Sequence, residues 1–388
     1  KYGKVHIKEE TMKHPKLPFV CLAAAFLISA LGTSPAGAKE YKYASFTPPK
    51  SEVNRFAMKA FIKEVKEKTK GAIVIKNFTG GSLLGARDTL PGIRDGVVMG
   101  GFVVPAFVVS SLPHHNLVPD LLSFATDPIQ AAGAGNETLV LDCPECIADS
   151  AKMKSINFGG YGSQSYWLQC TKEVKKFSDL KGRKVRVAGS ASGRWVKAMG
   201  AVAVGGMPPP QIVTGMQRGQ VDCAIAIPGW LLAMSLKDAV KHVVTHPQGL
   251  YHGLGIFTFN LKYWKGLSRE TKGIFLRAMA NASASSTIIN GYTHPAKTLN
   301  PIIKKKKIKK WAGDDALRSA WGKFLKAEIP AIIKGAVKRG IKKEAAVRIV
   351  NAHRANLKKW AKISKQVRGD KDKLAEALWD NIYSKVKY

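Results

Sequence analysis

The stretch Phe177-Ser178-Asp179-Leu180-Lys181-Gly182-Arg183-Lys184-Val185-Arg186-Val187, followed by Met199-Gly200, Met207-Pro208 and Gln217-Arg218-Gly219-Gln220-Val221-Asp222, decides the fold. Asp179 to Gly182 has turn chemistry, and Lys184 to Val187 alternates charged with β-branched residues, as a half-buried strand does. Arg186 therefore falls near a strand end, where open α/β sheets place their ligands. A guanidinium there offers a rigid fork that matches a carboxylate, so the chemistry suggested is anion capture. On these residues alone, a surface arginine on an edge strand is an equal alternative.

Reading outward, Tyr41 to Phe46 and Ile73 to Phe78 pattern as strands, with an amphipathic helix over Ser51 to Thr69 between them. A short helix follows at Arg87 to Asp95 and a buried strand at Met99 to Val109. Strands alternating with helices predict a parallel-rich sheet. Gly159 to Leu168 crosses into a second unit holding the Arg186 strand, and Leu254 to Asn260 reads as a strand returning to the first. Two crossings predict an α/β protein of two lobes with a hinge and a cleft. Ser268 to Gly291 reads as a long helix, Lys304 to Lys310 opens a helical region, and Asp315 to Ser384 holds several more helices. The expected division is lobe I over 39–163, lobe II over 164–251, a return and long helix over 252–290, and C-terminal helices of 291–388 belonging mainly to lobe II.

The N-terminus carries an export signal. Met12-Lys13-His14-Pro15-Lys16 is basic, Leu17 to Leu31 is apolar but short of a membrane span, and Ala36-Gly37-Ala38 is a small-x-small cleavage pattern. A signal peptide over 12–38, cut after Ala38, is expected, with no later segment able to span a bilayer. Cys143, Cys146, Cys170 and Cys223 then remain, an even number with three possible pairings, which suits disulfides in an oxidising compartment. Cys143-Pro144-Glu145-Cys146 also has redox or half-zinc-site spacing, but no second Cys-x-x-Cys or His-x-x-x-His accompanies it.

The 388 residues carry 62 Lys and Arg against 27 Asp and Glu, a formal charge of +35, with an ordinary apolar share of 45%. The excess concentrates after Asn300. Such a stripe can bind polyanions, but a solvated helical face is the simpler reading and no nucleic-acid-binding signature is present. An enzyme lacks a candidate constellation: there is no Gly-x-Ser-x-Gly elbow, phosphate loop or His-Glu-x-x-His. His114 and His115 are adjacent, and on an extended segment would point apart rather than share one metal with Asp120. No cofactor is expected.

The pattern Asp-Leu-Lys-Gly-x-Lys-x-Arg-Val, then Met-Gly-Ala, Met-Pro and Gly-x-Val-Asp, resembles the solute-binding proteins of tripartite ATP-independent periplasmic (TRAP) transporters, the DctP-like family. The resemblance extends through Phe61 to Gly71, Gly80-Gly81-Ser82-Leu83-Leu84-Gly85, Ile93-Arg94-Asp95-Gly96 and Asn260 to Leu267, covering nearly all of Lys39 to Gly291. It implies a periplasmic-binding-protein fold that captures an organic acid and delivers it to a two-component membrane permease. Arg186 corresponds to the family's carboxylate-binding arginine. Tyr166 stands where some relatives have a second arginine, Ala226 where many have asparagine, and Cys223 replaces a glycine. Trp167, Gln169, Pro208 and Trp230 lie close to these positions, and Phe46, Thr47 and Pro105 at strand ends of the first lobe; each also suits core packing. C4-dicarboxylates are the family's best-known ligands, and the missing second arginine leaves monocarboxylates equally open. A sensor of the same fold acting on a receptor kinase is the competing class.

Overall fold

The computed structural model describes residues 38–252 and 255–387. The export signal expected over 12–38 falls, but for Ala38, outside the described residues. In chain order the strands are β1 (Lys39–Ala44), β2 (Ile73–Phe78), β3 (Gly100–Val103), β4 (Ser155–Asn157), β5 (Trp167–Cys170), β6 (Lys184–Arg186), β7 (Val202–Val204), β8 (Cys223–Ala226), β9 (His242–Val244), β10 (Gly255–Asn260) and β11 (Lys309–Trp311). They form two sheets, ordered β2-β1-β3-β10-β4 and β11-β9-β5-β8-β6-β7. The chain is thus an α/β protein of two lobes.

Both sheets are mixed rather than uniformly parallel. β1 runs parallel to β2 and β3, whereas β10, coming back from the other lobe, pairs antiparallel with β3 and β4. In the second sheet β6 is parallel to β7 and β8, and β5 is antiparallel to β8 and β9. The turn before β6 depends on Gly182, whose φ of 74° is a left-handed conformation that a side chain disfavours.

The first lobe is held by aromatic packing. Phe61, on the helix Lys59–Lys68, meets Phe257 at 5.3 Å and Phe275 at 5.5 Å between ring centroids. Phe275 belongs to the helix Arg269–Ile288, started by Ser268, whose hydroxyl accepts from the Thr271 N–H. Disulfides join Cys143 to Cys146 and Cys170 to Cys223. The second ties adjacent strands, because Cys170 and Cys223 are register partners in β5 and β8.

Two expectations need correction. The lysine run does not stay helical: a helix covers Asn300–Lys305, and Lys309–Trp311 then forms β11, parallel to β9 at the sheet edge. Lysine is a poor strand former, but an edge strand leaves its charge in water, and Lys309 there pairs with Glu173 at 3.1 Å. Nor do the C-terminal helices belong mainly to the second lobe. The helix Lys343–Val367 packs on Pro128–Glu137, where Trp360 donates to Glu137 at 2.6 Å and its ring covers Gly133 so closely that a Cβ would overlap it. The helix Lys371–Asn381 lies on Arg269–Ile288. The helix Asp315–Lys338 reaches the second lobe, through Glu328, whose carboxylate receives Arg194 at 2.6 Å. An amphipathic face states that a helix docks, not on which surface.

Candidate functional site

Arg186 is the last residue of β6, and its neighbours in register are Val204 on β7 and Ala224 on β8. Its side chain is fully buried. Nε donates to the Met207 carbonyl at 2.9 Å and Nη1 to the Ile225 carbonyl at 3.5 Å, while Nη2 is buried without a partner. The guanidinium carbon stands 5.7 Å from the ring centroid of Trp230. Burial pulls this group down to about 10, with Tyr166 opposing, so it stays charged at neutral pH. A buried cation held only by carbonyls and a ring face has lost its hydration without gaining a counter-ion.

Arg186 opens onto a cavity enclosing about 610 Å³ of space free of atoms, its mouth included, and lined by both lobes. From the second lobe come Tyr166 and Trp230, whose rings meet edge to face at 6.3 Å. Burial lifts the Tyr166 phenol to about 12. From the first lobe come Phe46, stacked on Phe102 at 4.9 Å, and Thr47, whose hydroxyl bonds Ser51 at 2.8 Å. Tyr161, Ser163 and Tyr251 line it where the chain passes between sheets, and the Tyr251 hydroxyl is buried without a partner. Glu52, at the start of the helix that follows Phe46 and Thr47, is also in the wall. Its Oε1 is buried and unpartnered, and burial lifts its carboxyl to about 7 against the pull of its own backbone N–H and of Arg55.

Arg186, Tyr166, Trp230, Phe46 and Thr47 thus share one cavity. Trp167, Gln169, Pro208, Ala226 and Pro105 are not in its lining, although Pro209, next to Pro208, is. Trp167 and Ala226 are register partners, and both pack into the cluster around Ile212, Leu231 and Val243. The loss of polarity expected from Ala226 therefore does not bear on this cavity. Gln169 instead bonds the Ala226 and Ile227 carbonyls, at 3.3 and 2.9 Å. Glu52, Tyr161, Ser163 and Tyr251 had no signal in the sequence beyond their residue types. His114 and His115 take separate partners: His114 faces Asp149 at 3.0 Å, and His115 bonds the Cys146 carbonyl at 2.9 Å. Among the described residues no group of three or more His, Cys, Asp or Glu could hold a metal ion.

Two sheet-bearing lobes around a buried arginine with an unmet N–H make up a two-lobed solute-binding protein. Residues 43–313 match the family described as bacterial extracellular solute-binding protein, family 7 (DctP), and the chain belongs to that family. It is 27% identical over 259 residues to the monocarboxylate 2-oxoacid-binding periplasmic protein of Nostoc sp., an alignment spanning 63% of this chain and 66% of that protein. Its fold is similar to that of TRAP solute-binding proteins of known structure. One, from Bordetella bronchiseptica with bound (R)- and (S)-mandelate, superposes with TM-score 0.69 at 22% identity, covering 83% of this chain and 99% of that one. Another, from Rhodoferax ferrireducens T118 with copurified benzoate, gives TM-score 0.70 at 17% identity, covering 84% and 100%. The family and these neighbours are binding proteins rather than enzymes.

Proposed function

We propose that this protein is an extracytoplasmic receptor that holds a small monocarboxylate between its lobes and delivers it to a TRAP-type membrane permease. The observation that carries this reading is the unpartnered Nη2 of Arg186 in a cavity between the lobes rich in aromatic walls. A ligand carboxylate supplies the missing counter-ion, and exclusion of water strengthens the pair. One carboxylate suffices: Tyr166 adds a neutral phenol rather than a second cation, and Glu52 adds a carboxyl that a second anion would have to face. The Nostoc relative, by its name, binds monocarboxylate 2-oxoacids, and the Bordetella and Rhodoferax neighbours hold mandelate and benzoate, which agrees with this choice. Export through residues 12–38 and work in the periplasm belong to the same proposal. Among the described residues no helix is long and apolar enough to cross a membrane, so the receptor reading has the permease partner provide that step.

The test is calorimetric titration of the chain from Lys39 onward with benzoate, mandelate, pyroglutamate and a 2-oxo acid. One-to-one binding of at least one of these supports the reading, and absence of heat with all of them together with a panel of dicarboxylates contradicts it.

A further inference from the structure

The cavity presents a second unmet group, opposite in character to the first. Glu52 comes from the first lobe, is almost completely buried, and has an Oε1 that bonds nothing. Its seat is built by the second lobe. A Cβ at Gly229 would overlap the Glu52 carboxyl, so the absence of a side chain there is what lets the carboxyl lie against this segment. The Gly229 N–H is already taken by Gln164 Oε1 at 2.7 Å, which leaves Glu52 Oε1 no backbone donor there. Gly229 directly precedes Trp230, the ring under the Arg186 guanidinium. One short segment therefore positions both unmet groups, a donor at Arg186 and an acceptor at Glu52.

We propose that Glu52 is a specificity-determining residue of this site, accepting a hydrogen bond from a hydroxyl or amide N–H borne next to the ligand carboxylate and turning away dicarboxylates. The proposal rests on the receptor reading above and names its ligand class: 2-hydroxy acids and acids with an adjacent amide N–H. A carboxylate beside Arg186 with a donor substituent satisfies both orphan atoms at once. Above about pH 7, where the Glu52 carboxyl is ionised, a second carboxylate would instead place anion against anion in a site that excludes water. Burial raises the Glu52 carboxyl to about 7 against the pull of Arg55 on its own helix, and Tyr161 in the same cavity wall is in turn raised by the Glu52 charge. The ordinary cost of an unmet buried acceptor makes the group selective, since a ligand without the donor leaves it unpaired.

The experiment compares matched acids differing only at the 2-position: lactate, propionate and methylmalonate, and mandelate, phenylacetate and phenylmalonate. Each is titrated into wild type, Glu52→Gln, Glu52→Met and Arg186→Ala, with cooperative melting checked for every variant. The expected result, in the series that binds, is at least tenfold tighter binding of the 2-hydroxy acid than of its 2-H counterpart, and weaker binding of the dicarboxylate than of either. Glu52→Met should bring the two monocarboxylates within threefold of each other, and Glu52→Gln should raise affinity for the dicarboxylate. A hydroxyl preference that survives in folded Glu52→Met, or a wild type that binds the dicarboxylate as tightly as the hydroxy acid, overturns the role of Glu52 and leaves the receptor reading standing. Failure of all six acids to bind wild type overturns the ligand class named here and leaves the receptor reading to the wider panel above, whereas equal binding by Arg186→Ala overturns both.

Discussion

The guanidinium of Arg186 lies 5.7 Å from the ring centroid of Trp230 while its Nη2 meets no acceptor, so the ring braces a cation whose remaining N–H faces the cavity. The ring is a wall for the ligand and a partner for the cation that binds it. Trp230→Ala removes a desolvated cation–π contact worth about 2 kcal/mol. Affinity for the bound carboxylate should fall by about tenfold or more, as measured by calorimetric titration, with Tyr166 also losing its edge-to-face neighbour.

Glu52 sets a slope of stability with pH. Its carboxyl is raised from 4.5 to about 7 in the folded chain, so between those values the native state holds a proton that the unfolded state has released. Folding stability should therefore fall as pH rises through that window, by up to about 3 kcal/mol for this group. His252, pushed by burial from 6.5 to about 4, acts in the reverse sense and is lost as pH falls. Comparing ligand-free wild type with Glu52→Gln by denaturant unfolding from pH 4.5 to 7.5 isolates the first effect: the wild type should lose stability relative to the variant as pH rises.

Gly133 should tolerate no side chain. It stands in the helix Pro128–Glu137 directly under the Trp360 ring, and a Cβ would occupy the space of the indole. Gly133→Ala should cost about 2 kcal/mol by overpacking, seen as a lowered melting temperature in scanning calorimetry, and should loosen the Trp360 bond to Glu137.

The Cys170–Cys223 disulfide closes a span of 53 residues that includes β6 and Arg186. In the chain-entropy account, removing it with a Cys170→Ala, Cys223→Ala pair should cost about 4 kcal/mol, measured by urea unfolding. The Cys143–Cys146 bond, with a separation of 3, should matter far less.

The Arg186 strand was legible because alternation over Lys184 to Val187 and the turn before it are local signals. The two crossings of the chain were legible in the same way, since a returning strand such as Gly255–Asn260 carries its own apolar pattern. Which side chains of the second sheet reach the cavity was not. Trp167 and Gln169 share β5, and what each touches depends on the register with β8. Glu52 reads as an ordinary acidic residue at a helix start. Its burial comes from Gly229 and the aromatic walls of a distant part of the chain. The docking of the C-terminal helices depends likewise on tertiary complementarity, as between Trp360 and Gly133. Lys309–Trp311 shows the converse failure, a strand of poor local propensity held by the edge of β9.

The central claim is that Arg186 clamps a ligand carboxylate, and the most direct measurement is thermal unfolding of the chain from Lys39 onward with and without carboxylic acids, in wild type, Arg186→Ala and Arg186→Lys. At about 100 times its dissociation constant, a ligand should stabilise wild type by roughly 2.7 kcal/mol. The account predicts that this shift disappears in Arg186→Ala and is largely lost in Arg186→Lys, which keeps the charge without the fork. An acid that stabilises a folded Arg186→Ala variant as much as it stabilises wild type would contradict it.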